Sequence, residues 1–206
     1  MTLSNEETVD LIKQKIISII RHSVEDRARQ HSHNTECQLT EPNRSYKLGQ
    51  VLGSWMSLIM VSGEFLRITL KLHFNLGEVK LVAYRAYGKN TPEELSDKQA
   101  IDFIKELCNL SAGELVTILE KNNLPTGMSL PLCSRGFYDL FSDYTSAVQP
   151  FVRFGDLWSL KCENCTINMT SVIEILDVDA ISDILAYEIL STTANDEGKD
   201  EEIDFL

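Results

Sequence analysis

The chain has 206 residues, with 31 acidic and 19 basic side chains and a formal net charge of −12. Its 43% hydrophobic share supplies a folded core and excludes a chain that is disordered throughout. The acidic balance argues against nucleic acid and an anionic membrane surface as partners, because both demand a basic footprint. No stretch approaches the roughly 20 apolar residues of a bilayer span. The opening MTLSNEETVD lacks the basic-then-apolar pattern of a secretory signal. The five cysteines (Cys37, Cys108, Cys133, Cys162 and Cys165) are odd in number and unevenly spread. The expectation is a soluble cytoplasmic protein with reduced thiols.

In chain order, Glu7 to Arg29 reads as a helix, with Val9, Ile12, Ile16, Ile19, Ile20 and Val24 at near-helical spacing. The polar stretch from Gln30 to Ser45, holding Pro42, reads as a loop. Strand-like runs follow at Tyr46–Leu52, Ser54–Val61 and Glu64–Phe74, with Ser62-Gly63 as the turn between the last two. In the third run Leu66, Ile68, Leu70, Leu72 and Phe74 alternate with Arg67, Thr69, Lys71 and His73, which places His73 on an exposed side. A helix from Leu76 to Tyr87 ends at Gly88. A second begins at the Ser96/Gln99 capping box and runs to about Lys121. Three more strand-like runs occupy Met128–Arg135, Phe151–Lys161 and Cys165–Leu176, before a closing helix over Ala180–Ser191.

This order predicts an α+β fold: two helix-plus-three-strand halves around antiparallel β-sheet, with long surface helices. Strands that follow strands without an intervening helix exclude a doubly wound parallel sheet. The expected division is an amino-terminal helix and polar loop over 1–45, packed on a main domain at 46–192. An acidic tail at 193–206 is too poor in core residues to fold by itself. From Glu174 onward there are 11 acidic residues and one basic, so the body before it is almost neutral.

The 97–121 helix carries the functional argument. At about 100° per residue, Ile104, Leu107, Cys108, Ser111, Leu115, Ile118 and Leu119 share the buried face. Asp102, Glu106, Asn109 and Gly113 form a stripe on the opposite side, one residue per turn. Acidic residues are at home on any solvated helix face. Asn and Gly are not: Asn is a mediocre helix former and Gly costs about 1 kcal/mol relative to Ala. A missing side chain beside an exposed carboxamide lets another molecule's backbone come close.

The stripe reads Asp102-x3-Glu106-x2-Asn109, within ELCNLSAGEL, and is followed by Gly113 and later Pro131. It resembles the signature of the CheC/CheX/FliY family of chemotaxis phosphatases, which act on CheY-phosphate, and the predicted element order is similar to that family's fold. The resemblance implies a phosphatase for the aspartyl phosphate of a response-regulator receiver domain, in chemotaxis or two-component signalling. Asn109 would hold the attacking water in line, as Gln does in small GTPases. Glu106 would anchor the receiver's lysine, and Asp102 and Gly113 would belong to the contact. It also implies no cofactor of its own, because Mg²⁺ would arrive with the receiver. A single signature is more similar to dimeric CheX than to two-signature CheC, so a homodimer is expected. The competing reading is a non-catalytic adaptor or sequestering module that docks a receiver.

Other constellations are weaker. Cys162-x2-Cys165 flanks Glu163-Asn164, which reads as a hairpin turn. A zinc site there needs further ligands, available only if His31, His33 and Cys37 pack against it. The glycines at 49 and 53 form no phosphate loop, and no Ser-His-Asp arrangement is present.

Overall fold

The computed structural model describes residues 5–33, 37–41, 53–136, 150–162 and 165–189. Helix α1 (Asn5–Ser32) is followed by strands β1 (Gln38–Thr40), β2 (Trp55–Gly63) and β3 (Leu66–Phe74), and by helices α2 (Leu76–Ala86) and α3 (Asp97–Lys121). Strands β4 (Thr126–Met128), β5 (Leu132–Arg135), β6 (Val152–Cys162) and β7 (Cys165–Ile175) complete the sheet, before a 3-10 turn at Ser182–Ala186. The fold is α+β with an antiparallel sheet, as the alternation of strand and helix patterns predicts.

The sheet order is β1-β6-β7-β3-β2-β4, and β5 pairs with β2 beyond β4. Two hairpins, β2/β3 and β6/β7, meet along an antiparallel β3–β7 ladder from Leu66 opposite Ile175 to His73 opposite Asn168. One face of the sheet carries Ile59, Ile68, Leu70, Leu72, Met169, Ile173 and Leu160. That face is buried beneath the apolar sides of α1, α2 and α3 in a single cluster. Burial of this kind contributes roughly 25 cal/mol per Å² of apolar surface and drives the assembly.

Helix α1 is fixed to the sheet by Arg21. Its Nε and Nη2 donate to both carboxylate oxygens of Asp156 on β6, each at 2.8 Å, and Nη1 donates to Glu41 at 2.7 Å. The guanidinium also lies 5.6 Å above the fully buried Trp158 ring. The Asp156 hydrogen bonds hold Arg21 above its ordinary pKa. A bidentate, partly desolvated pair of this geometry is directional in a way apolar contact is not.

Several sequence expectations are corrected. The Gln30–Ser45 stretch is not all loop: α1 continues to Ser32, and Gln38–Thr40 joins the sheet against β6. Three residues are too few to show a period, so β1 left no pattern to read. The β2/β3 turn falls at Glu64-Phe65, not Ser62-Gly63. Gly63 is required within β2 because the Pro125 carbonyl oxygen lies 2.5 Å from where a Cβ would stand. The run at Met128–Arg135 is broken into β4 and β5, and Pro131, with no N–H to give the ladder, sits in the break. The closing helix shrinks to the 3-10 turn, and residues 190–191 lie outside the described residues, as do the strand expected at 46–52 and the tail. His73 is buried, not exposed, and its Nε2 lies 3.0 Å from Thr170 Oγ1. Cys37 and Cys162 are joined in a disulfide, against the expectation of reduced thiols. The β1–β6 register brings them opposite one another across 125 residues, which no local spacing reveals.

Candidate functional site

Helix α3 owes its start to Ser96. Its Oγ accepts from the Gln99 N–H at 3.2 Å, while the Gln99 side-chain oxygen accepts from the Ser96 N–H at 3.0 Å. This reciprocal pair satisfies two otherwise orphaned donors. Ahead of it, Lys80 on α2 pairs with Asp97 at 2.6 Å and holds the first turn. Ala100, Phe103, Ile104, Leu107, Cys108, Ser111, Ala112, Leu115, Ile118 and Leu119 are buried, so the helix turns a wide apolar face to the sheet.

The opposite side is open. Asp102 and Glu106 are exposed, and Asn109 and Gly113 are half-buried. Among the described residues a Cβ built on Gly113 meets nothing within 4 Å, so packing among them does not demand a glycine there. Among the described residues the Asn109 carboxamide makes no hydrogen bond, and neither Asp102 nor Glu106 forms an ion pair. The structure therefore brings the four stripe residues to one helix face with their polar ends unspent. Pro131 is half-buried in the break between β4 and β5, and both of those strands pack beside α3.

Two neighbours flank the stripe. Arg27 of α1 pairs with Glu114 of α3. One turn further along α1, the His31 ring stacks on Phe103 with centroids 4.3 Å apart. His31 Nε2 lies 3.1 Å from the Phe103 carbonyl oxygen, which can accept its proton. Burial lowers the His31 pKa, partly offset by that carbonyl and by the charge of Glu106. Near Asp102 and Glu106 lies Tyr87, at the end of α2. Partial burial, then those two carboxylates, raises its phenol pKa. Sequence reasoning missed Tyr87, since one aromatic at a helix end is a weak signal. Met128, Leu130 and Leu132, in the run that reads as a strand, are 45%, 88% and 53% exposed.

Among the described residues no group of His, Cys, Asp and Glu is arranged to hold a metal ion, and no helix is long and apolar enough to cross a membrane. What the stripe offers is two carboxylates that attract a cation, one neutral amide that both donates and accepts, and a gap that admits a close partner.

No family model and no curated protein matches the chain. Solved structures do. A CheC-like superfamily protein from Shewanella sp. PV-4 aligns with a TM-score of 0.53 at 16% identity, covering 78% of this chain and 97% of that one. The fold is CheC-like. The CheX of the CheX–CheY–BeF3–Mg²⁺ complex from Borrelia burgdorferi gives 0.56 at 11% identity, covering 77% and 97%. FliY from Thermotoga maritima gives 0.53 at 17%, covering 90% and 98%. At these identities the likeness fixes the CheC-like framework alone.

Two outcomes follow from this geometry. Replacing Gly113 by Ala raises stability by about 1 kcal/mol, read by urea unfolding, because the methyl group has space and the helix gains propensity. A loss of stability would mean that something within the chain occupies the gap. His31 has a pKa below its unfolded value, so the unfolded chain binds more protons between the two values. Stability is therefore fully present above about pH 6.5 and falls as the pH drops below it. His31→Phe, which keeps the ring stack, should flatten that slope in unfolding curves at pH 7.5 and 5.5.

Proposed function

We propose that the chain is a phosphatase for the aspartyl phosphate of a CheY-like receiver domain, acting through the α3 stripe. The observation that carries the reading is the row Asp102, Glu106, Asn109 and Gly113. All four share one helix face, and among the described residues the Asn amide makes no hydrogen bond and nothing lies within 4 Å of a Cβ at Gly113. The occurrence of this framework in a CheX solved with CheY supports a receiver as partner.

In this mechanism Asn109 enters the receiver's site. Its carboxamide oxygen accepts from a water and its amide donates to a phosphoryl oxygen, which sets the water in line with the phosphorus. A neutral amide suits the task because it brings no negative charge toward the phosphate. Glu106, one turn away on the same face, pairs with a receiver lysine and fixes the helix in register. Asp102 adds attraction at the rim, and Gly113 allows the receiver backbone to approach. The phosphatase brings no metal and no nucleophile; Mg²⁺ is carried by the receiver. A homodimer is the working assembly, in keeping with the single stripe.

The second reading, an adaptor without catalysis, draws support from the fold itself. FliM, in a FliM–SpeE complex from H. pylori, shares it with a TM-score of 0.50 at 12% identity, covering 90% of this chain and 97% of that one.

The two readings separate in one assay. With a phosphorylated receiver, the wild-type chain should accelerate loss of phosphate, and Asn109→Ala should reduce that acceleration by about 100-fold while binding persists. Full activity in that variant would overturn the catalytic role, and binding without acceleration by the wild type would favour the adaptor. Glu106→Ala should instead weaken the complex by about 2 kcal/mol or more, measured by titration calorimetry. In sedimentation equilibrium at micromolar concentration a dimer is expected; a 23.3 kDa particle would exclude it.

A further inference from the structure

Three of the five cysteines meet in one row of the sheet. Cys162, the last residue of β6, lies directly opposite Cys165, the first of β7. On its other side the β1–β6 register, with Gln38 opposite Lys161, sets Cys37 opposite Cys162. Residues opposite one another on antiparallel strands point to the same face, with Cβ atoms about 4.5–5.5 Å apart, near the reach of a disulfide. All three side chains are buried. Cys162 is bonded to Cys37, and Cys165 carries a free thiol. Cys162 thus has a sulfur neighbour on either hand and can bond only one at a time.

We propose that Cys162 exchanges its disulfide between Cys37 and Cys165. Cys165 gives up its thiol proton to water, and the thiolate attacks Cys162 Sγ. A Cys165–Cys162 bond forms as the Cys162–Cys37 bond breaks, and its electron pair leaves on Cys37 Sγ, which takes up a proton. The chain holds one disulfide and one thiol of this trio before and after, so no oxidant is consumed. The first disulfide arises from the reduced thiols by exchange with a low-molecular-weight disulfide such as oxidised glutathione, which is reduced to two thiols. Burial pushes the Cys165 thiol up to about 12. Its thiolate is therefore scarce at neutral pH, and the Cys37–Cys162 bond yields to it slowly.

The two bonds tie different parts of the fold. With Cys37–Cys162 closed, Cys37 at the head of β1 is covalently attached to β6, and Arg29 Nε donates to the Cys37 carbonyl at 2.9 Å. The last turns of α1 also carry Arg27 and His31, which brace α3. With Cys162–Cys165 closed, the β6/β7 hairpin is stapled to itself and β1 is held by non-covalent contacts alone. This inference does not depend on the phosphatase reading.

The test is disulfide mapping of the full chain. The protein is oxidised with glutathione disulfide, quenched in acid, alkylated, denatured and cleaved after Glu163 with a glutamyl endopeptidase. Mass spectrometry of the wild type should then find both Cys37–Cys162 and Cys162–Cys165 linkages. The second linkage should be lost in Cys165→Ser and should be the one of the two that forms in Cys37→Ser. Hydrogen exchange over 38–40 should be faster in oxidised Cys37→Ser than in Cys165→Ser, with the wild type, a mixture of both linkages, in between. Only Cys37–Cys162 in the wild type, together with free Cys162 and Cys165 in oxidised Cys37→Ser, would overturn the exchange. If Cys37→Ser fails to fold, the wild-type map decides alone, and a missing Cys162–Cys165 linkage sinks the proposal.

Discussion

The ladder between β3 and β7 is the constraint on which the rest of the molecule depends. Each flanking hairpin alone is two strands with one apolar face, an assembly that is marginal in water. Joined along Leu66–His73 and Asn168–Ile175, they give a continuous floor broad enough for three helices. Helix α3 rests on β2 and β3, from the first hairpin, while α1 is clamped to β6, from the second, by Arg21 and Asp156. The relative position of those helices is thus set through the ladder. On its far side, the Arg67–Glu174 pair at 3.1 Å adds a polar cross-strand contact.

That arrangement explains the state of the α3 stripe. A helix packed by ten buried residues and capped at Ser96 has no freedom to rotate, so its outward residues stay outward. Arg27 and His31 stiffen one flank without reaching Asn109. The charge of the chain is concentrated from Glu174 onward, which leaves the body near neutral. Such a surface holds two carboxylates, an amide and a gap in fixed relative positions.

Much of the fold was legible because long, strongly periodic segments announce themselves. Helix α3 was readable to the residue from its capping box, and Gly88, at φ +61°, closes α2 where the sequence placed the stop. The alternation in β3, β6 and β7 revealed those strands to within one or two residues. What escaped was short or non-local. Strand β1 has three residues, and its identity exists only in its pairing with β6. Gly63 reads as a turn residue when only its neighbours in sequence are seen, yet it serves a contact with Pro125. In the candidate site the stripe was legible because helical periodicity places residues on a face. Tyr87, Arg27 and His31 were not, because tertiary packing brings them there.

The route of the chain through the sheet has a kinetic consequence. Strand β1 finds its partner in β6, and the Cys37–Cys162 link spans 125 residues. The β3–β7 ladder, from Leu66 opposite Ile175 to His73 opposite Asn168, is nearly as remote in sequence. Neither can form until most of the chain has been synthesised and its loop entropy overcome, so the relative contact order is high and folding is slow for the chain's size. Until then the β2/β3 hairpin stands with an open edge, an unpaired strand presented to other nascent chains.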